Sequence, residues 1–233
     1  MKNISEILFI TQARKGSVRV SEKMLRPFAG SCLFEIAVKK MLSSSLIPKD
    51  NYYVSIREKE FIEIADRYDV NKYIRSEESV QEPVPLQTAL EWYDKLDYKY
   101  WIQINACNPL LKIETIDKFI KAFVNSRSNG MFGVFEKKTF LYGSDGRMLN
   151  RFHGEDKYLA TLETKLVETC YEAAHTLYAG KMSDIEEGIF MGTFKNKKNP
   201  EFFQMNEDEC FDIDWPWQFE LAEALYKQRM KMN

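Results

Sequence analysis

No apolar run in this chain approaches the roughly 18 residues that a membrane-spanning helix needs. The opening Met1-Lys2-Asn3-Ile4-Ser5-Glu6 leads straight into a short apolar stretch, without the long apolar core and small-residue cleavage site of a signal peptide. The expectation is a cytoplasmic protein with no membrane partner. Cysteine is sparse: Cys32, Cys107, Cys170 and Cys210 are scattered and form no C-x-x-C pair, which argues against a zinc or redox site and leaves reduced thiols. Excess charge of one sign is missing too. Thirty-three Lys and Arg against 35 Asp and Glu leave a net charge of −2, unlike a protein that coats nucleic acid, so any phosphate binding must be local. Linkers rich in Pro and Gly, internal repeats and low-complexity tracts are lacking, so residues 1–233 read as one domain.

What is present is an ordinary globular composition, 45% hydrophobic and 29% charged, on a chain long enough to bury a sizeable core. Ile7-Leu8-Phe9-Ile10 is a continuous apolar run, the mark of a strand covered on both faces. Helical spacing of Leu33, Phe34, Ile36, Ala37 and Met41 follows, then a strand at 52–55, a helix around Phe61 to Ala65 and a strand at 72–75. The alternation continues with a helix over 86–96, strands at 100–104 and 131–135, and a helix over 113–124 between them. Beyond an excursion at 149–168 come a strand at 176–179, a short helix at 183–189, a strand at 201–205 and a final helix from about Trp217 to Met230. Such a rhythm predicts an α/β fold: a mostly parallel, Rossmann-like sheet with helices on both faces.

The densest chemical signal is the polar loop after the first strand, Ala13-Arg14-Lys15-Gly16-Ser17-Val18-Arg19-Val20-Ser21-Glu22-Lys23-Met24-Leu25-Arg26-Pro27. Its cations, its small Gly16 and its hydroxyls are parts of a polyphosphate clamp, and open α/β sheets bind ligands at the carboxyl ends of their strands. It is neither a Walker A loop nor a G-x-G-x-x-G fingerprint. On charge alone a solvated basic loop fits as well; position after the first strand favours phosphate. Near the other end lies Phe211-Asp212-Ile213-Asp214-Trp215-Pro216. In extended chain, residues two apart share a side, so Asp212 and Asp214 can converge on one hard cation such as Mg²⁺. The alternative for Asp214 is a plain helix N-cap.

With these residues the chain resembles the acylneuraminate cytidylyltransferases, which make CMP-sialic acid and related CMP-nonulosonates. Ala13-Arg14-x-Gly16-Ser17, Lys23, Leu25-x-Pro27 and Gly30 match the family's opening, and Asp212-x-Asp214-x-Pro216 with Ala222-Glu223 its ending. Val54-Ser55, with Glu60 to Ala65 after it, and the turn Gln103-Ile104-Asn105-Ala106-Cys107-Asn108-Pro109-Leu110 are similar to its middle motifs. The resemblance implies a nucleotidyltransferase fold with a protruding dimerisation arm, placed at 149–168, and a homodimer. It implies CTP as substrate, with Ala13, Gly16 and Ser17 in the loop around the triphosphate, and Arg14 and Lys23 contacting phosphates and offsetting developing charge. Arg75 would lie by the nucleotide, or be a surface arginine at a strand end. Asn105 would stand where relatives carry Gln, and Asp212 and Asp214 would hold Mg²⁺. Departures are Lys15, Val18 and Met24 in the loop, and Ile56 and Arg57 after the second strand. The acceptor side departs most, with Arg151-Phe152-His153-Gly154 and Glu172-Ala173-Ala174-His175-Thr176-Leu177-Tyr178. The expected reaction is CTP-dependent activation of a sugar acid as its CMP derivative with release of pyrophosphate. A phosphorylated polyol acceptor, or a noncatalytic nucleotide-binding relative, is the alternative. His153 and His175 are candidates for acceptor contacts or satisfied structural residues.

Overall fold

The computed structural model describes residues 1–81, 83–159, 162–196 and 198–232. The apolar run at the start forms β1 (Ile7–Gln12), which sits inside a seven-stranded sheet between β4 (Tyr52–Ile56) and β6 (Tyr100–Ile104), parallel to both. Its side chains alternate: Ile7 and Phe9 enter one core, Leu8 and Ile10 the other, as a strand buried on both faces requires. A small hairpin, β2 (Pro27–Phe28) and β3 (Ser31–Cys32), leads into α1 (Leu33–Ser43). That helix, α2 (Lys59–Arg67), α4 (Ile113–Asn125) and α7 (Pro216–Met232) pack on the Ile7/Phe9 face, where Phe34 and Phe61 meet edge to face at 4.9 Å. The opposite face is closed by short pieces around Trp92 and Trp101: α3 (Leu86–Ala89) and α6 (Met182–Glu186).

The sheet order is β5-β4-β1-β6-β8-β7-β9, with β5 (Asn71–Ile74), β7 (Met131–Lys137), β8 (Cys170–Lys181) and β9 (Glu201–Gln204) completing it. After β1 the chain adds strands on one side, then crosses to add β6 on the other. The carboxyl end of β1 is therefore a topological switch point, where such sheets leave a crevice.

Three sequence expectations change. The helix predicted over 86–96 is broken at Leu90, whose backbone (φ −115°, ψ 33°) leaves the helical region, so α3 is followed by a separate 3₁₀ turn at Glu91–Asp94. The strand predicted at 176–179 is a twelve-residue strand, β8, running antiparallel between β6 and β7. The helical pattern in 149–168 reduces to α5 (Asp156–Leu159), a 3₁₀ turn at Thr164–Leu166 and an isolated bridge between Phe152 and Val167, with residues 160 and 161 outside the described set.

Candidate active site

A cavity of about 570 Å³ opens at the switch point and is lined by Ala13, Arg14, Ser17, Lys23, Arg75 and Asn105 among others. Six of the nine residues singled out from the sequence thus line one cavity. Gly16 is not among the lining residues, and a Cβ built there would meet nothing within 4 Å. A smaller adjoining cavity of about 210 Å³ joins Arg14, Ser17, Arg19 and Lys23 to Asp214.

The loop after β1 keeps its cations apart by giving each a different task. Lys15 ties the loop to the start of α2: its N–H donates to Glu58 (2.7 Å) and its Nζ reaches Glu60 (2.7 Å) and Glu22 (3.2 Å). Arg26 lies over the Phe219 ring of α7. Arg14 donates to the Val80 carbonyl across the cavity (3.0 Å). Lys23, 11% exposed, donates to the carbonyl of Ile213 and stands 3.8 Å from Asp214. Arg75 is buried at 4% exposure, hydrogen-bonded to the Ser79 hydroxyl and carbonyl, so the reading as a surface arginine is set aside.

Asp214 is not the cap of α7. Gln218 reaches back to accept the N–H groups of Asp214 and Trp215, while the Asp214 carboxylate pairs with Arg19 at 2.7 Å. Asp212 has a buried Oδ1 with no hydrogen-bond partner among the described residues. Burial raises its pKa, the Asp214 charge adds to that, and Lys23 and His175 pull the other way. An orphaned carboxylate oxygen beside a second carboxylate suits a hard cation, since Mg²⁺ is commonly held by one or two carboxylates plus phosphate oxygens and water. No group of three or more His, Cys, Asp or Glu side chains able to hold a metal occurs among the described residues, so such an ion would depend on the nucleotide for further ligands. Cys107, at the cavity edge, has its thiol pushed up to about 12 by burial, which leaves it protonated and no nucleophile.

Asn105 lines the cavity, but both ends of its amide are used: Nδ2 donates to the His175 carbonyl (2.8 Å) and Oδ1 accepts the Cys107 N–H (3.0 Å). It braces the wall. Sequence reasoning missed Gln12, Ser79, Gln81 and Gln103, which also line the cavity. Gln12 and Gln103 carry a readable signal, a polar residue interrupting an apolar strand at its carboxyl end; Ser79 and Gln81 come from an irregular segment that has none.

The chain matches the family model described as Cytidylyltransferase over residues 8–233. Similar proteins include the pseudaminic acid cytidylyltransferase of Campylobacter jejuni subsp. jejuni serotype O:2, 23% identical over 239 residues and covering 97% of each chain. The spore coat polysaccharide biosynthesis protein SpsF of Bacillus subtilis (strain 168) is 28% identical over 128 residues, 54% of this chain and 53% of that one. This chain therefore aligns with about half the length of the Bacillus protein. Among solved structures, a CMP:2-keto-3-deoxy-manno-octonic acid synthetase complexed with CTP superposes with a TM-score of 0.67 at 11% identity, over 97% of this chain and 100% of that chain. A 4-diphosphocytidyl-2C-methyl-D-erythritol synthase from Anaerococcus prevotii DSM 20548 gives 0.63 at 13% identity, over 95% and 96%. These two likenesses are of fold.

Proposed function

From the premise that the chain belongs to the cytidylyltransferase family, we propose that it activates a sugar acid by moving the cytidylyl group of CTP onto it. The observation that carries this reading is the cavity at the carboxyl end of β1, lined by Arg14 and Lys23, with Lys23 standing 3.8 Å from Asp214 in the smaller cavity beside it. An acceptor hydroxyl oxygen attacks the α-phosphorus. The new P–O bond forms as the bond to the β-phosphate oxygen breaks, pyrophosphate leaves with the electron pair, and the hydroxyl proton passes to water. Arg14, Lys23 and Ser17, with the backbone N–H groups around Gly16, hold the phosphates and offset charge in the transition state, so positioning and electrostatics supply the catalysis. Asp212 and Asp214 would hold Mg²⁺, which when bound neutralises phosphate charge. The same reading has the chain act in the cytoplasm as a homodimer, with 149–168 as the arm; the exposed Leu149, Tyr158 and Leu162 support that placement.

The test is pyrophosphate release from CTP, UTP, GTP and ATP in Mg²⁺ buffer, with pseudaminic acid and 2-keto-3-deoxy-manno-octonic acid as acceptors. Release with CTP and one of the acids is expected. Silence with both, or equal rates with UTP, overturns the reading. Asp214→Asn is expected to abolish Mg²⁺-dependent turnover at an unchanged melting temperature, and retained turnover would remove the metal assignment.

A further inference from the structure

The two carboxylates of the closing motif stand in unlike circumstances. Asp212 keeps a buried oxygen with no partner among the described residues, whereas Asp214 is taken: the Arg19 guanidinium lies 2.7 Å from its Oδ1 and the Lys23 ammonium 3.8 Å from the same oxygen. The two cations are held differently. Lys23 is fixed, its side chain 11% exposed and bonded to the Ile213 carbonyl. Arg19 is half exposed, with its guanidinium 5.8 Å from the ring centre of Trp215, itself half exposed. An ion pair so open to water is weakly held and exchanges readily.

Arg19 is also placed to change partners. It lines the smaller cavity with Asp214, and three other residues of that lining, Arg14, Ser17 and Lys23, line the larger cavity as well. The loop is anchored just after it, where Val20 is buried, while Val18 just before it stands 95% exposed. Turning one long, half-exposed side chain carries the guanidinium from the carboxylate toward the part that the two cavities share. A guanidinium matches phosphate oxygens as well as a carboxylate, and a triphosphate offers it more charge. A divalent cation approaching Asp214 in the free protein, by contrast, meets two positive charges already at that carboxylate, and they repel it.

We infer that Arg19 is an exchangeable counter-ion for Asp214: it occupies the carboxylate in the free protein and passes to the phosphates of the bound nucleotide, so that a divalent cation gains Asp214 only together with nucleotide. This rests on the cytidylyltransferase reading above and adds to it when the metal enters. One side chain then couples metal occupancy to nucleotide, and the free protein binds metal poorly.

The experiment titrates Mn²⁺ into the protein without nucleotide, with free Mn²⁺ read by electron paramagnetic resonance. Arg19→Gln changes a half-exposed side chain, so it is expected to melt as the wild type does, and to bind Mn²⁺ about fivefold more tightly. Lys15→Gln removes the same charge from the same loop, but Lys15 is paired with Glu60 and Glu22, so its Mn²⁺ affinity is expected to stay within about 1.5-fold of the wild type. With saturating CTP the gap between Arg19→Gln and the wild type is expected to close or reverse, because Arg19 has left Asp214. Trp215 reports the exchange itself: CTP should change the emission of the wild type and of Trp217→Phe, and the change should be lost in Trp215→Phe and in Arg19→Gln. A Mn²⁺ affinity of Arg19→Gln equal to the wild type, or raised equally by Lys15→Gln, overturns the inference alone, as does a gap that persists with CTP bound or an emission change that survives in Arg19→Gln. A wild-type protein that binds no CTP by calorimetry overturns the functional reading, and the inference with it.

Discussion

Glu35 accepts hydrogen bonds from the hydroxyls of Ser31 and Tyr68, and lies 3.3 Å from Lys39 and 3.4 Å from Arg67. Those two hydroxyls, more than the cations, hold its carboxyl at about 2, against an ordinary 4.5. Asp212 shows the opposite case, because a buried carboxyl with one oxygen unpartnered resists ionisation. The Glu35 contribution is complete above pH 4.5 and disappears as pH falls through about 2. A drop of that size corresponds to about 3 kcal/mol, and solvent screening of the exposed Lys39 and Arg67 partners reduces it to about 1–2 kcal/mol. Glu35→Gln is therefore expected to melt lower than the wild type at pH 7, with the gap narrowing at pH 3; calorimetry at both values measures it. A gap independent of pH would mean that packing, not charge, holds this corner. Nothing local in the sequence announces the pairing, since Tyr68 is at the far end of another helix, whereas Arg14 and Lys23 stand in a basic loop whose position after the first strand marks it as a candidate.

At the scale of elements, α4 ends against a residue from the start of the chain. Lys2 is 9% exposed and donates from Nζ to the carbonyls of Phe123 (3.1 Å), Ser126 (2.8 Å) and Ser128 (2.8 Å), with its charge 4.3 Å from the Phe123 ring centre. Carbonyls at a helix C-terminus lack partners within the helix and carry partial negative charge, so a buried ammonium serves both needs. Lys2→Met keeps the apolar stem and strands the carbonyls. Because hydrogen bonds from a charged donor are worth about 1.5–3 kcal/mol each and do not add fully, the expected cost is about 2–4 kcal/mol. For a chain of this size that is a fall of about 4–16 °C in melting temperature, and a shift below about 2 °C would show that water replaces the cap. The strand and helix rhythm from β1 to α4 was legible because each element carries its own apolar period. The direction and place of β8 were not. Apolar spacing is the same for parallel and antiparallel strands, and the His175 carbonyl of β8 is held by Asn108 and Asn105, in the turn after β6, 67 and 70 positions away.

The two stretches most readable as chemistry lie near opposite ends of the chain and touch in the fold. Glu223 of α7 accepts the Ala29 N–H at 2.8 Å (φ +51° at Ala29), which pins the hairpin after the loop, while Lys23 in the loop bonds the Ile213 carbonyl. Glu223, from the closing motif, and Lys23, from the basic loop, thus join the two ends of the chain. The bulge of β8 opposite Gly133 was less legible, because its register depends on Gly133, Met205 and Asn105 together. The junction also sets the molecule's electrostatics. The chain as a whole carries −2, yet residues 13–26 hold Arg14, Lys15, Arg19, Lys23 and Arg26 against Glu22 alone. A local positive field on a near-neutral body attracts a polyphosphate at short range, and its reach shrinks from about 10 Å at 0.1 M salt to about 3 Å at 1 M. The KM for CTP is therefore expected to rise several-fold between about 0.05 and 0.5 M KCl, with kcat changing far less. Lys15 and Arg26 are held by partners outside the cavity, so Lys15→Gln should leave that salt dependence nearly intact, whereas Lys23→Gln should weaken binding and flatten it. Equal flattening by both would place the attraction in the loop's summed charge and not in the side chains that face the cavity.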